Sequence, residues 1–393
     1  MRMHAGQLNA GHGGGLLITE PEFAAYPLDQ APVYSRWMVG GVALLVVLTG
    51  VSVGLRSIIE PPVAATGLAI ASLVWLLALL LRVLYFRLNR HNAQSYHGAA
   101  EQVSQAWWVR HRQRVGLVES VLVAAPCTTP EQAHLLFSSD HQPPEPKATL
   151  EGRTIHLVQV FGNDVAERER NLAILLALQW YQQRDEHACV QPLHCYWQGS
   201  LSAWQAFSEQ MTLCSPQVQL PEQPEPWEGM CTLNSVIDQL QGAPEAARVL
   251  CAGCQSSSIQ QESPLPAGEA AVLWLLGPEG SVRFSRGEWF SVDTEQLSSV
   301  AKRALQQSEL TAPTDACMSF AQPNVPELPA AGWNTRQHVQ DANFGALKHL
   351  QAMVVQTLAA WYAEQHQVPC AWLANDPHHT LALGIVEPDD SNS

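Results

Sequence analysis

Two stretches of the chain run nineteen residues each without a charge: Trp37–Leu55 (WMVGGVALLVVLTGVSVGL) and Val63–Leu81 (VAATGLAIASLVWLLALLL). Each is long enough to cross a bilayer core as a helix. Arg36 and Arg56 bound the first; Glu60-Pro61-Pro62 and Arg82 bound the second. A connection this short predicts a helical hairpin over residues 36–82, with both ends on one side of the membrane. The first stretch starts too far from the N-terminus, and lacks the basic n-region, for a typical signal peptide. Residues 1–35 are polar and Gly-rich, with GHGGG at 11–15, and are expected to form a mobile tail.

Beyond the hairpin the pattern changes period. Residues 83–114 read as an Arg-rich helix leaving the membrane, with Trp107 and Trp108 at the lipid surface. Val115–Ala125 (VGLVESVLVAA) and Ile155–Phe161 (IHLVQVF) predict strands. Glu167–Gln183 predicts a helix, its buried side formed by Leu172, Leu175, Leu176 and Trp180 among others. Pro-rich segments at 140–147 and 215–229 read as loops. Helices are expected at about 232–241, 294–308 and 344–366, and strands at 249–253, 270–276, 315–320 and 380–386. This alternation predicts an α/β domain around a largely buried sheet. No short-period repeat is evident.

Charge sharpens the division. Residues 115–393 hold 12 Lys/Arg against 31 Asp/Glu, a net −19, which repels a phosphate backbone and argues against nucleic acid as a partner. Residues 82–114 hold six Arg and one Glu. The positive-inside rule then puts both termini and the main domain in the cytoplasm. Nine cysteines at irregular spacings fit no disulfide framework and suit a reducing compartment.

Most familiar catalytic motifs are missing. There is no Walker A loop, no GxGxxG after a strand, no GxSxG elbow and no HExxH. Cys251 and Cys254 form a CxxC, but Cys251 lies inside an apolar strand, and no second CxxC completes a zinc site. A buried strand is favoured over a redox or metal centre. His187, Cys189, His194 and Cys195 form a local cluster whose spacing suits no standard zinc module. His378-His379 reads as a polar turn before the last strand rather than a ligand pair.

Cys231 is followed by a helix-length segment, TLNSVIDQLQ, then by the turn and strand GAPEAARVLCAG, and later by PAGEAAVLWLL. This order is similar to the thiolase-like fold of ketoacyl synthases, in which a nucleophilic cysteine starts a buried helix. ACMSF (316–320), ANFGALKHLQAMVVQTLAAWYAEQ (342–365) and HTLALGIVEP (379–388) look like that family's first-histidine strand, second-histidine turn with its long helix, and last strand. The likeness spans residues 115–388, with 389–393 as a tail. It implies that the helix N-terminus favours a thiolate at Cys231. It also implies a fold-defining turn at Gly268 and Glu269. The chain departs from the family where chemistry needs imidazoles: Gln322 or Asn324 stands at the first histidine position and Asp341 or Ala342 at the second.

The hairpin-plus-domain layout, with AGWNTRQHVQDANFGAL and VPCAWLANDPHHTLALG, resembles the adaptor proteins of type VI secretion. That resemblance implies an inner-membrane protein of bacteria with no active site, cofactor or metal. It implies as partners a phospholipase-type effector and the secreted spike protein, with a homodimer as a further option. The rival expectation is an acyl-thioester enzyme using Cys231, with bases among His338, His349 and His378.

Overall fold

The computed structural model describes residues 21, 23–54, 60–128, 130–138, 140–149, 152–184, 190–259, 264–293, 295–321, 325–376 and 378–389. It divides into two compact units, Met1–Arg110 and His111–Ser393.

The first unit is a helical hairpin. α1 (Tyr34–Gly54) and α2 (Pro61–His111) are each long and apolar enough to cross a membrane. They meet where Gly41 leaves room for Trp75, whose ring lies 2.7 Å from where a Cβ would sit. Their apolar side chains are otherwise turned outward, Val46, Leu73 and Leu80 among them. The first expected span is described as helix as far as Gly54, and Leu55 lies outside the described residues. Val63–Leu81 falls inside α2. The separate Arg-rich helix expected over 83–114 is not separate: α2 runs unbroken to His111, since nothing between carries a proline. Trp107 is buried, with Trp108 edge-on at 4.8 Å. Part of the expected tail is placed against α2. Asp29 pairs with Arg82 at 2.6 Å, and the Tyr26 ring lies 5.6 Å from Tyr96.

The second unit opens with β1 (Arg114–Ala124), α3 (Pro130–Leu135), β2 (Lys147–Ala148), β3 (Arg153–Ile155) and α4 (Val165–Gln183). Then come β4 (His194–Gln198), α5 (Leu201–Cys214), β5 (Glu225–Pro226), α6 (Met230–Leu240), β6 (Val249–Ser256) and β7 (Ala267–Gly277). β8 (Val282–Ser285), β9 (Glu288–Phe290), α7 (Leu297–Gln307), β10 (Cys317–Ser319), α8 (Glu327–Ala330) and β11 (His338–Val339) follow. The unit ends with α9 (Asp341–Phe344), α10 (Gln351–His366), β12 (Cys370–Ala374) and β13 (Leu381–Pro388).

The strand order is β11-β10-β12-β13-β8-β1-β7-β6-β4-β5, and its two halves match. In one, β4 is parallel to β5 and β6, and β6 is antiparallel to β7. In the other, β10 is parallel to β11 and β12, and β12 is antiparallel to β13. The halves join through the antiparallel pair β1 and β8. This duplication of topology leaves no mark as a sequence repeat.

Three apolar cores separate the layers. α6 and α10 share one core with side chains from both half-sheets, including Cys251, Trp274, Met318 and Trp372. α4 and α5 cover the outer face of the first half, against Cys195, Leu250 and Cys254. α7 and α8 cover the outer face of the second, against Cys317, Leu373 and Leu383. Burial patterns follow from this layering. All eleven residues of β7 are buried, because both faces of its sheet are covered. In α10 every residue from Ala352 to Ala360 is buried, as a central helix requires.

Three expectations are corrected. The strand expected over 155–161 ends at Ile155. Leu157 and Val160 are buried while Val158 and Phe161 stand in solvent, so the buried positions are three apart rather than two. The helix expected from 344 starts at Gln351, because Gly345 takes φ +67° after α9. Gly268 and Glu269 form no turn; both lie within β7. Gly268 is needed for close approach instead: a Cβ there would fall 1.9 Å from the Phe344 carbonyl oxygen.

Glu269 ties the layers together. Its buried carboxylate accepts from Arg168 Nη2 at 2.7 Å and Nε at 3.0 Å, from the Leu157 N–H at 2.6 Å and from Ser256 Oγ at 3.2 Å. A second buried carboxylate, Glu288, shares the Arg303 guanidinium with Glu295, at 3.0 Å and 2.6 Å, and also accepts from the Gln307 amide. One cation between two acids leaves a negative charge in excess. Burial therefore pushes Glu288 up to about 7, although Arg303 opposes the shift.

Two outcomes are expected. Glu269→Gln leaves the Arg168 guanidinium without its counter-charge and costs on the order of 3 kcal/mol, read by thermal melting of the full-length protein in mild detergent. Glu288 binds its proton more tightly folded than unfolded, so its contribution is full below pH 4.5 and is lost as pH rises through about 7. Melting temperatures of Glu288→Gln should therefore gain on the wild type across that window; a constant gap would contradict the assignment.

Candidate functional site

The place of the expected nucleophile is the start of α6. Gly229 precedes it at φ +61°, and the Thr232 hydroxyl accepts the Glu228 N–H at 2.8 Å. The helix is amphipathic: Met230, Leu233, Val236, Ile237 and Leu240 face the central core, and Cys231 is left exposed.

The surroundings of Cys231 are acidic. Partial burial of the sulfur, then the Asp376 and Glu228 carboxylates, push its thiol above the ordinary value. These influences run against the thiolate that the resemblance implies. Asp376 sits in the loop before β13. Its buried carboxylate accepts the His378 N–H at 3.0 Å and meets His379 Nδ1 at 2.8 Å. The His379 ring lies flat on Trp289, 4.9 Å away at 8°. Of the adjacent pair it is thus His379, and not His378, whose side chain is engaged.

Among the described residues no imidazole is hydrogen-bonded to Cys231. His338 is half-buried against Tyr362, 5.6 Å between centroids, at the C-terminal end of α10. Burial and the neighbouring His366 push it toward the neutral form. His349 is exposed, and only its backbone N–H is used, by Gln255 at 3.1 Å. His378 is exposed. None of the three candidate bases is hydrogen-bonded to the thiol among the described residues.

Of the two positions where the resemblance expects a histidine, only the second is described, and its side chains serve another end. Gln322 and Asn324 lie outside the described residues. Asp341 is buried, its Oδ2 accepts the Ala321 N–H at 2.5 Å, and burial raises its pKa. Ala342 is exposed and carries no polar side chain. Asn343 is held by His141 at 2.8 Å and Gln340 at 2.9 Å. These groups fasten loops to one another rather than face a reacting carbonyl.

The remaining sulfur motifs are structural. Cys251 and Cys254 both lie in β6, and three residues apart in a strand means opposite faces. Cys251 enters the core around α6 and α10, Cys254 the core around α4 and α5, and burial holds both thiols well above the ordinary value. They can neither bridge nor share a metal. Cys195 is buried in β4, its thiol pushed up to about 12, while His194 turns to Glu225 at 2.7 Å. His187 and Cys189 lie outside the described residues. No group of three or more His, Cys, Asp or Glu suited to a metal occurs among the described residues.

No family model matches the chain, and no curated protein matches it. Solved structures do. A structure titled "The ishigamide ketosynthase/chain length factor" is 13% identical, covering 70% of this chain and 99% of its own, with a TM-score of 0.50. ChlB3, described as an acyltransferase, is 15% identical over 70% of this chain and 98% of its own, with a TM-score of 0.40. HMG-CoA synthase complexed with CoA is 11% identical over 70% and 81%, with a TM-score of 0.38. At these identities the likeness is one of fold: the second unit is thiolase-like, of the ketosynthase type.

The raised Cys231 thiol predicts its alkylation behaviour. Iodoacetamide should modify it slowly at neutral pH, with a rate still climbing beyond pH 9, the value of an ordinary cysteine here. A rate that levels off near pH 7 in the folded protein would contradict this environment.

Proposed function

We propose that the chain is a non-catalytic, membrane-anchored adaptor. The observation that carries this reading is the setting of Cys231: an exposed thiol at the start of α6, raised by partial burial and by the Asp376 and Glu228 carboxylates, with no imidazole hydrogen-bonded to it among the described residues. An acyl-transfer site needs a base and carbonyl-polarising donors around its nucleophile. A domain that keeps the scaffold without them acts by binding.

The hairpin supports the anchor. Helices apolar on every side, with little of that surface buried in protein, are satisfied by hydrocarbon. The Arg-rich start of the extension beyond the second span suits the cytoplasmic face, which puts both termini and the acidic domain in the cytoplasm. The resemblance of the C-terminal segments supplies the setting: the inner membrane of a bacterium, with a phospholipase-type effector delivered to a type VI secretion spike protein. Self-association through the thiolase-like unit is compatible with this role.

The test is affinity purification of the tagged full-length protein from mild-detergent membranes, with mass spectrometry of the eluate. A lipase-type effector or spike protein in stoichiometric amount is expected, and Cys231→Ala should leave the yield unchanged. An acyl-sized mass increase on Cys231, or loss of delivery in a folded Cys231→Ala variant, would instead support acyl-thioester chemistry.

A further inference from the structure

A cleft of about 820 Å³ opens beside β1, away from Cys231. Its floor is the first half of β1, where the register with β7 slips between Leu117 and Glu119. Such a bulge re-aims side chains and is common beside functional sites. The walls are the last turns of α4 and α10. On the α10 side the cleft begins at Trp361. Gln351, at the other end of that helix, bonds Asn375 in the loop that holds Asp376. Ten helical residues separate the two, about 15 Å.

The electrostatics of this cleft favour cations. Two helices end at it, and each presents the negative end of its dipole. Glu119 and Glu364 line it, and no Lys or Arg is among its lining residues. The molecule already places one guanidinium at the edge. Arg184, the C-cap of α4, meets Glu119 at 3.4 Å and lies 5.0 Å over the Trp180 ring. Glu119 also accepts the Trp180 indole N–H at 2.6 Å, so this acid is held in place.

The remaining lining suits a polypeptide. Gln182, Gln183 and Gln365 are exposed and offer both donors and acceptors to a backbone. Trp361, anchored by its indole N–H to Ser120 Oγ at 2.9 Å, offers a ring to the stem or head of a basic side chain. The second unit, residues 111–393, is acidic as a whole, which draws a basic partner in from a distance.

We propose that this cleft is the docking site for a basic segment of a partner protein, an Arg- or Lys-bearing stretch lying between the ends of α4 and α10. The proposal rests on the adaptor reading only in taking the partner to be a protein.

The experiment uses the full-length protein in mild detergent and a short fluorescein-labelled peptide alternating Arg and Leu, followed by anisotropy. Saturable binding is expected, and none by the matching Glu and Leu peptide. The double variant Gln183→Lys with Glu364→Lys should weaken binding by about tenfold or more, the factor of a close charge pair. Gln205→Lys with Glu209→Lys makes the same charge change on the exposed side of α5 and should alter binding less than about twofold. Equal losses in the two variants, displacement by spermidine as effective as by unlabelled peptide, or no saturable binding would each overturn the proposal. The two readings separate in the affinity purification. An effector recovered equally with wild type and cleft variant would remove the docking site and keep the adaptor. Peptide binding at the cleft with no effector recovered would do the reverse.

Discussion

The second unit depends on α6 and α10 filling one core shared by both half-sheets. Each half-sheet is apolar on both faces, so each needs an outer helix layer and a shared inner one. Within that layer α10 is buried right round along most of its length and cannot be amphipathic in the usual sense, whereas α6 keeps one face open. The glycines at 268 and 345 allow this closeness, since the backbone after α9 runs directly against β7. The Glu269–Arg168 pair then locks the outer helix α4 to the same strand.

This architecture separates scaffold from chemistry. Cys231 sits where a helix dipole favours an anion, yet partial burial, then the Asp376 and Glu228 carboxylates, push its thiol the other way. Dipole effects at a partly exposed site are worth under about 1 kcal/mol, so one nearby carboxylate is enough to cancel them. The histidine that does lie in the adjoining loop is engaged with Asp376 and stacked on Trp289. Polar side chains around the fold's catalytic position thus secure loops. The open cleft at the other end of α10 has the carboxylates, amides and indole that a binding surface uses.

Much of the fold was legible in the sequence because its longest elements have strong patterns. The apolar spans, β1, α4, α6, β6, β7, α7 and β13 all fall close to where periodicity and turn residues put them. Two short buried strands, β4 and β12, were not legible, although β10 was. HCYWQ of β4 drew attention as a His/Cys cluster, and CAWLA of β12 is an apolar run without alternation. Strands buried on both faces carry no period-two signal. IHLVQVF failed for the opposite reason: it has the composition of a strand, but the Glu269 carboxylate takes the Leu157 N–H that a ladder would need.

By itself the sequence determined the two apolar spans, the acidic α/β unit that follows them and the place of Cys231 at a helix start. Those properties are local: they depend on side-chain polarity and spacing within one element. Only the tertiary structure decided that CxxC points to two different cores, that Gly268 and Glu269 belong to a strand, and that the Asp376 and Glu228 carboxylates come to act on Cys231. Those outcomes depend on partners brought in from distant parts of the chain. The energies of burial and charge pairing that settle them exist only once the layers have closed.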